Sequence, residues 1–505
     1  MRLAPGSQPA VRSSIANEYN MPCPAIGLAS SETDSTMDPN TDIRDATQTA
    51  FPVEKGASAP LLPAPCTTAV YCVNSPSGLR PLPKRSGFKR FLRAFLFISV
   101  AIILFGHLAK LVPHVARMFH DRRHHLGPDM PPADVPEHCV RDANWSIDED
   151  FHRHPDHLGH PLHIATTSFE LPVSSDVLYL VSHGSPSFAS GSVEITDEGS
   201  VGSDVAGVEI TAFFQHEHGF ALTRVCVLQP AEGVNGVGIF APTFTRWRHQ
   251  QVRFEIKVKL PAAPVGSPLF INKFETHLPW FAHHVGDLKD SVYFGRVSLR
   301  GAFMGIDVSS LFGEHIDVTT TLSAIKGSFN TSSYLTLRTS NAPISVEVGM
   351  LNDPEGNHTV VEMHTSNGPI NANINLLSAA SSGTGGNFSV DARTSNSPVT
   401  VVYPHAAVDS VLRLVALTSN SAARAVLHPT FEGAFALASS FPFTPAVDRN
   451  TDVVDPAGRG RQRSVAITRS VLGTVEGEAR WVPAEARELG YVRLGTSNSP
   501  VHLVV

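Results

Sequence analysis

The chain has 505 residues, of which 42% are hydrophobic and 17% are charged, and its formal net charge is −7. This length is enough for two or three globular units, and the hydrophobic content supports a sizeable core. A net negative charge provides no basic field for a polyanion, so nucleic acid is excluded as a partner.

The N-terminal part of the sequence predicts a disordered cytosolic tail followed by a membrane anchor. Residues 1–85 are rich in Pro, Ser, Thr and Ala and show no sustained periodicity, which is typical of disorder. Residues 86–112 contain the only apolar run of membrane length, with a basic flank before it, and predict one transmembrane helix. Its distance from the N-terminus favours an uncleaved signal-anchor. A buried helix of a soluble domain is the alternative.

The N-glycosylation sequons indicate the orientation of this anchor. None lies before the apolar run, and all of them follow it, at Asn144, Asn330, Asn357 and Asn387. We therefore predict a single-pass type II membrane protein whose C-terminal body is lumenal or extracellular, at the plasma membrane or in the secretory pathway.

The positions of the cysteines agree with this topology. Cys23, Cys66 and Cys72 fall in the predicted cytosolic tail, where thiols stay reduced. Cys139 and Cys226 fall on the oxidising side. A disulfide between these two is a hypothesis, because the sequence does not supply the geometry that the bond requires.

Residues 113–163 are polar and contain prolines and many histidines, and they predict a stalk. Imidazoles at this spacing could wrap a metal ion or act as a pH-dependent charge switch, whereas a solvated stalk needs neither. The paired Cys and His ligands of structural zinc sites do not occur here. We predict a solvated stalk, with no metal site and no cofactor in the chain. The histidines concerned, with two nearby aspartates, are His152, His154, His157, His160 and His163 with Asp150 and Asp156.

The remaining sequence predicts an all-β body in two parts. Residues 164–250 contain strand-like pieces and form a β-rich N-terminal subdomain, while residues 251–505 form a repeat domain. The segment Val252–Pro261 alternates apolar and polar residues and ends at a proline, so it predicts the strand that opens the repeat domain.

The tripeptide Thr-Ser-Asn recurs five times in this second part. The first four copies are separated by 26, 29 and 24 residues, and a gap of 78 residues precedes the last. That gap is three average repeats long, and it predicts two degenerate turns near Thr444 and Ser470. Ser and Asn favour tight turns, so the asparagines mark the turns of the repeat. They are Asn341, Asn367, Asn396, Asn420 and Asn498.

Each turn is followed by a short strand with one apolar face. In Ile370–Leu376 apolar and polar residues alternate strictly, and the apolar ones are expected to point inward. A two-strand unit cannot bury such a face alone, so the units must stack on one another. The sequence predicts a stacked β-solenoid or a related layered sheet.

A strand that ends in Leu-Pro, followed by stacked units with Thr-Ser-Asn-x-Pro-[Ile/Val] turns, resembles the putative-adhesin family of β-solenoid domains. The resemblance covers roughly residues 250–505. With a tail, one span and a stalk ahead of this domain, the chain resembles single-pass fungal proteins that carry it. The family has no agreed catalytic residues, and its name implies a role in adhesion.

Function is expected on the outward side chains between the turns. The Thr-Ser-Asn motif itself is best explained by turn formation with stacked side-chain hydrogen bonds, although a polar ladder can also recognise glycans. The sequence contains none of the local motifs of common hydrolases, nucleotide-binding enzymes or zinc proteases. The basic loop with Arg459, Arg461 and Arg463 is interpreted as a solvated turn. The outward candidates are Ser345, Glu347, Asn371, Asn373, Asn375 and Thr400.

These observations predict a non-catalytic, membrane-anchored adhesion or binding module whose ligand is a glycan or a surface protein. A structural or scaffolding protein retained in the secretory pathway is the alternative. A polysaccharide-modifying enzyme is the third possibility, because some β-solenoids support carboxylate pairs that cleave polysaccharides.

Overall fold

The computed structural model describes residues 138–148, 163–243, 251–264 and 266–505. The predicted tail, the predicted span at 86–112 and most of the predicted stalk lie outside these residues. Among the described residues, no helix has the length and apolar character needed to cross a bilayer. Contacts divide the chain into two units, Met1–Ile103 and Leu104–Val505, and every described residue belongs to the second.

The described residues form strands and a single helical turn. The first elements are β1 (Cys139–Asp142), β2 (Ser146–Asp148), β3 (His163–Pro172), β4 (Val177–His183), β5 (Ser190–Gly199), β6 (Val205–Phe214), α1 (Glu217–Ala221), β7 (Arg224–Ala231), β8 (Val234–Phe240), β9 (Val252–Pro261), β10 (Leu269–His277), β11 (Phe281–Asp287), β12 (Val292–Arg300) and β13 (Ile306–Thr319). The later ones are β14 (Ile325–Arg338), β15 (Ile344–Asn352), β16 (Thr359–His364), β17 (Ile370–Ser378), β18 (Asn387–Arg393), β19 (Val399–Ala406), β20 (Val411–Leu417), β21 (Ala423–Val426), β22 (Gly433–Ala438), β23 (Ala446–Asp448), β24 (Gln462–Val471), β25 (Thr474–Val482), β26 (Gly490–Gly495) and β27 (Val501–Val504).

These strands form two mostly parallel layers. The first, sheet 1, has the spatial order β1-β7-β8-β4-β10-β12-β13-β14-β16-β18-β20-β26-β22-β25-β24. The second, sheet 2, has the order β2-β3-β6-β9-β5-β11-β13-β14-β15-β17-β19-β21-β27-β23. The chain alternates between the sheets, and β13 and β14 each pass through both. The all-β prediction is confirmed, and the parallel stack is consistent with a β-solenoid.

The core lies between the two sheets and follows from the alternation in the strands. In β17, Ile370, Ala372, Ile374 and Leu376 are all buried, whereas Asn371 between them is exposed. The buried apolar residues form one continuous cluster that includes side chains from both ends of the described chain. The sheets also run without interruption across residue 250, because β4 pairs with β10 and β5 pairs with β11.

Antiparallel strands cover one end of the parallel stack in both sheets and the other end in sheet 1. At one end β9 pairs in parallel with β5 and antiparallel with β6, so it is the outermost parallel strand of sheet 2. The predicted strand at Val252–Pro261 is therefore present, but β4 and β5, which precede it, lie deeper in the stack. At the other end the hairpin β24–β25 pairs antiparallel with β22. These strands protect edges that would otherwise pair with other chains.

The last two strands of the chain lie inside the stack rather than at its end. Strand β26 pairs in parallel with both β20 and β22, and β27 pairs with both β21 and β23. The last Thr-Ser-Asn turn therefore stacks directly on the fourth. Of the two degenerate turns predicted, the one near Thr444 is present, because Thr444 lies in the loop that joins β22 of sheet 1 to β23 of sheet 2. The one near Ser470 is wrong, because Ser470 lies within β24, in the hairpin that precedes the return of the chain.

The first prediction concerns the stability of the variant Gly490→Ala, because Gly490 begins β26 and is closely packed between the neighbouring strands. A Cβ at Gly490 would lie 2.6 Å from the carbonyl oxygen of Leu412 and 2.8 Å from the ring of Phe431. We expect the free energy of unfolding to fall by about 3 kcal/mol, as for overpacked cores. Gly305→Ala is the control, because its Cβ would lie 3.6 Å from the nearest atom, an ordinary contact. Equal midpoints for the two variants in denaturant titrations would contradict the inserted position of β26.

Two histidines of the N-terminal coils are held neutral. His283 is fully buried, its Nε2 lies 2.9 Å from the hydroxyl of Thr276, and burial lowers its pKa to about 4. Burial, with smaller contributions from Arg300 and His183, likewise lowers the pKa of His277 to about 4. In both cases the unfolded chain binds a proton more readily than the folded one does.

A pH dependence of stability follows as a second prediction. Because the folded pKa lies below the unfolded value of 6.5, the stabilisation is complete above that value and is lost as the pH falls towards 4. For His283 the loss is about 2 kcal/mol near pH 5. Thermal melting across this range checks the effect, and His283→Gln should flatten the profile by about one proton. A profile as steep as that of the unmodified chain would contradict the assignment.

Candidate functional site

The Thr-Ser-Asn motifs form a column of turns along the edge where the chain passes from sheet 1 to sheet 2. In each turn the amides of Ser and Asn donate to one carbonyl of the turn below. The Ser366 and Asn367 amides, for example, lie 3.1 and 3.0 Å from the carbonyl oxygen of Ser340. The threonine hydroxyls also donate to backbone carbonyls of the neighbouring turn, as Thr394 does to Gly368 at 3.1 Å. All five threonines are buried.

The exposed asparagines of these turns form a ladder of side-chain hydrogen bonds. Each Nδ2 donates to the Oδ1 of the turn below: Asn367 to Asn341 at 2.6 Å, Asn396 to Asn367 at 2.6 Å, Asn420 to Asn396 at 2.7 Å and Asn498 to Asn420 at 2.7 Å. The last bond spans 78 residues of sequence. The conspicuous repeat is therefore engaged in holding the coils in register.

The same column continues through three earlier turns that carry apolar residues in the asparagine position. Trp280 and Phe303 stack with ring centroids 3.7 Å apart, and Phe303 and Leu322 are 42% and 49% exposed. These turns lack the tripeptide, so the repeat motif does not reveal them in the sequence. Their register follows from amide bonds of the same kind: Phe303 to Pro279 at 3.1 Å, Leu322 to Ala302 at 2.8 Å and Asn341 to Thr321 at 3.0 Å.

A shallow trough of about 470 Å³ crosses the outer face of sheet 2. It extends over β13, β14, β15, β17 and β19, and the backbone comes close together on its floor at Gly327. There φ is +124°, and a Cβ would lie 1.8 Å from the carbonyl oxygen of Val308. Of the six outward candidates from the sequence, five line the trough together with Ser309 and Ser328, namely Ser345, Glu347, Asn371, Asn373 and Thr400.

The trough carries little charge and has both polar and apolar lining residues. Glu347 is the one ionisable side chain among them, the serines, asparagines and threonine offer hydroxyl and amide groups, and Val346, Ala372 and Val402 are apolar. In-register pairing places Ser345, Asn371 and Thr400 in one row across three strands. Asn375, the sixth candidate, does not line the trough, and its Oδ1 is buried without a described partner. The trough can therefore donate and accept several hydrogen bonds to a flexible polar chain.

The outer face of sheet 1 is charged instead. One row across its strands is acidic, and the adjacent row, two residues further along each strand, is basic. Arg338 pairs with Glu362 at 3.0 Å and Arg393 with Asp391 at 2.6 Å. Exposed pairs of this kind contribute little stability each, but they leave few charges without a partner. The acidic row contains Glu275, Asp317, Glu362 and Asp391, and the basic row contains His277, Arg300, Arg338, His364 and Arg393.

The predicted glycosylation sites differ in accessibility. Asn144 and Asn357 are exposed in loops, whereas Asn330 and Asn387 are half-buried in strands. The side-chain amide of Asn330 donates to the carbonyl of Leu311 at 3.4 Å. The two exposed asparagines can accept a glycan without rearrangement of the folded body.

A disulfide joins Cys139 of β1 to Cys226 of β7. In the described residues, the one group of three potential metal ligands is Cys139, Asp142 and Cys226, and its two sulfurs form this disulfide. Of the five stalk histidines singled out as possible metal ligands, His163 is described, and its ring stacks on Phe214. The other four lie outside the described residues.

The basic loop at 459–463 is only partly solvated, so its interpretation as a solvated turn is wrong. The guanidinium of Arg461 is buried and bonds both carboxylate oxygens of Asp455, at 3.0 and 3.1 Å, and also pairs with Glu432 at 3.3 Å. This bond to Arg461 holds the pKa of Asp455 far below its usual range. Arg463 is buried too, and burial lowers its pKa to about 10. Paired carboxylates allow an arginine to be buried, and this pairing is not visible in the sequence.

Comparisons with known proteins give a limited result. No protein-family model matches the chain, and no curated protein matches it. Two solved structures are similar: a putative cell adhesion protein from Clostridium sporogenes and a putative adhesin from Parabacteroides distasonis. The first has 6% identity and a TM-score of 0.14 and covers 67% of this chain and 99% of its own. The second has 9% identity and a TM-score of 0.17 and covers 67% and 96%. Scores at this level carry no argument about function.

The asparagine ladder generates a third prediction, a loss of stability in Asn396→Ala. This substitution removes one donated and one accepted hydrogen bond at an exposed site, so we expect the free energy of unfolding to fall by roughly 1 kcal/mol. Asn373→Ala, outside the ladder, should stay within about 0.5 kcal/mol of the unmodified chain. Urea titration measures both. Indistinguishable midpoints would mean that the ladder does not stabilise the stack.

Proposed function

We propose that the body is a non-catalytic binding module for adhesion and that the trough on sheet 2 recognises an extended, uncharged glycan. The observation that carries this proposal is the row of neutral donors and acceptors across neighbouring strands. Glycan hydroxyls both donate and accept hydrogen bonds, and Ser, Thr and Asn side chains match them in both roles. A surface protein that binds elsewhere on the body is the alternative ligand.

The chemistry of the trough favours binding over cleavage. Glycoside hydrolysis generally uses two carboxyl groups that flank the scissile bond. Glu347 is a single carboxylate among the lining residues of the trough. A polysaccharide-modifying enzyme therefore remains the less favoured proposal, and assays for hydrolysis belong in the same experiment as assays for binding.

For the cellular setting we propose a single-pass type II membrane protein that displays this body on the lumenal or extracellular side. The sequons after the predicted span and the disulfide between Cys139 and Cys226 support an oxidising compartment. A scaffolding protein retained in the secretory pathway is the alternative, favoured by a short span that suits thinner bilayers. Imaging of a tagged chain separates the two, since absence from the cell surface would defeat the adhesion proposal.

Binding by the trough is the fourth prediction. The full chain, purified in detergent, should bind neutral glycans on an array without releasing hydrolysis products. The double variant Asn371→Ala/Asn373→Ala should weaken the binding about tenfold or more, because several hydrogen bonds are lost together. Asn450→Ala, an exposed asparagine outside the trough, is the matched control. Binding that survives the double variant would place the ligand elsewhere, and released sugar would support the enzyme.

A further inference from the structure

A second cleft, of about 230 Å³, lies on the outer face of sheet 1 and is distinct from the trough in position and in charge. Strand β12 runs along its middle and contributes Arg296 and Ser298. Pairing in register places Arg296 between Lys273 of β10 and His315 of β13. Ser298 is placed in the same way between Glu275 and Asp317 in the next row.

Two polar groups of this cleft are buried without a partner in the described part of the chain. Ser298 is only 4% exposed, and its hydroxyl makes no hydrogen bond. The Nδ1 atom of His315 is also buried and makes none. An unsatisfied buried polar group lowers stability, so native proteins rarely retain several in one place unless a ligand or water completes them.

The charges around these groups are not balanced. Glu275 pairs with Lys273 at 3.0 Å, and Asp317 lies 3.8 Å from Arg300. Both carboxylates of the cleft are thus neutralised, whereas Arg296 is exposed and forms no ion pair with any described residue. A cation with five unused donors next to an unpaired hydroxyl and an unpaired imidazole nitrogen is suited to an oxyanion.

We propose that this cleft binds a small oxyanion, either a free inorganic anion or the carboxylate or sulfate group of an acidic saccharide. Arg296 holds two of its oxygens, and Ser298 and His315 donate to the remaining lone pairs. The volume admits a single anion or one sugar ring rather than a polymer segment. This site goes beyond the proposed recognition of neutral glycans, and it uses none of the residues of the trough.

Calorimetric titration of the full chain with sodium sulfate, with glucuronate and with glucose is the test. We expect sulfate or glucuronate to bind and glucose not to bind. Arg296→Gln should weaken that binding at least tenfold, and Ser298→Ala should weaken it several-fold with an unchanged far-UV spectrum. The control is Arg253→Gln, an exposed arginine on sheet 2 that pairs with Glu255 at 3.0 Å, and it should leave the affinity unchanged.

These measurements test the anion site independently of the proposed glycan binding by the trough. Binding of sulfate alone identifies a free inorganic anion as the ligand, and stronger binding of glucuronate identifies an acidic saccharide. No binding of either anion at about 10 mM, equal binding of glucose, or full affinity in Arg296→Gln would overturn the site. The double variant Asn371→Ala/Asn373→Ala should bind the anion normally, so loss of neutral glycan binding there leaves this site intact.

Discussion

Parallel, in-register pairing between successive coils is the interaction on which the rest of the structure depends. Within the parallel part of the stack the backbone bonds of a strand are made to the coils above and below it, and no coil can bury its apolar face alone. The buried threonine and exposed asparagine of each turn add side-chain bonds in the same direction. A shift of one residue would reverse every side chain between core and solvent, so these turns also protect the register.

A stack of this kind must end somewhere, and its open edges would bind further strands. The chain covers one end with antiparallel strands and a disulfide, and the sheet 1 edge of the other end with the hairpin β24–β25. To form this hairpin the chain leaves the stack after β23 and returns after β25. As a result β26 lies between β20 and β22, and β27 lies between β21 and β23. The segment between β23 and β26 is held in place by two ion pairs. Arg461 forms a buried pair with Asp455, and Arg459 pairs with Asp409 at 2.6 Å.

The sequence predicted the local features well and the long-range ones poorly, for identifiable physical reasons. Alternation in Ile370–Leu376 and the Ser-Asn turns depend on neighbours in the chain, and the structure has both. The gap before Thr496 equals three repeats, so a spacing argument cannot distinguish two hidden turns from one long excursion. The burial of Arg461 depends on Asp455 and Glu432, whose proximity arises only from the fold. The tail and the membrane span stay predictions. The predicted stalk is wrong for Cys139–Asp142 and Ser146–Asp148, which are strands of the body, and stays a prediction for its residues outside the described ranges.

Stacking also explains why the two outer faces differ in what they can bind. Equivalent positions of successive coils lie about 4.8 Å apart, so like charges in one row repel unless a row of opposite charge stands beside them. Sheet 1 has such an adjacent row, and most of its charges are used in pairing. Arg296 is an exception, because it has no counter-charge among the described residues. The central rows of sheet 2 avoid the problem with Ser, Thr and Asn, which need no compensating charge. Their hydrogen-bonding capacity remains available to a ligand, and this difference is the basis for proposing an uncharged polymer on that face and an anion on the other.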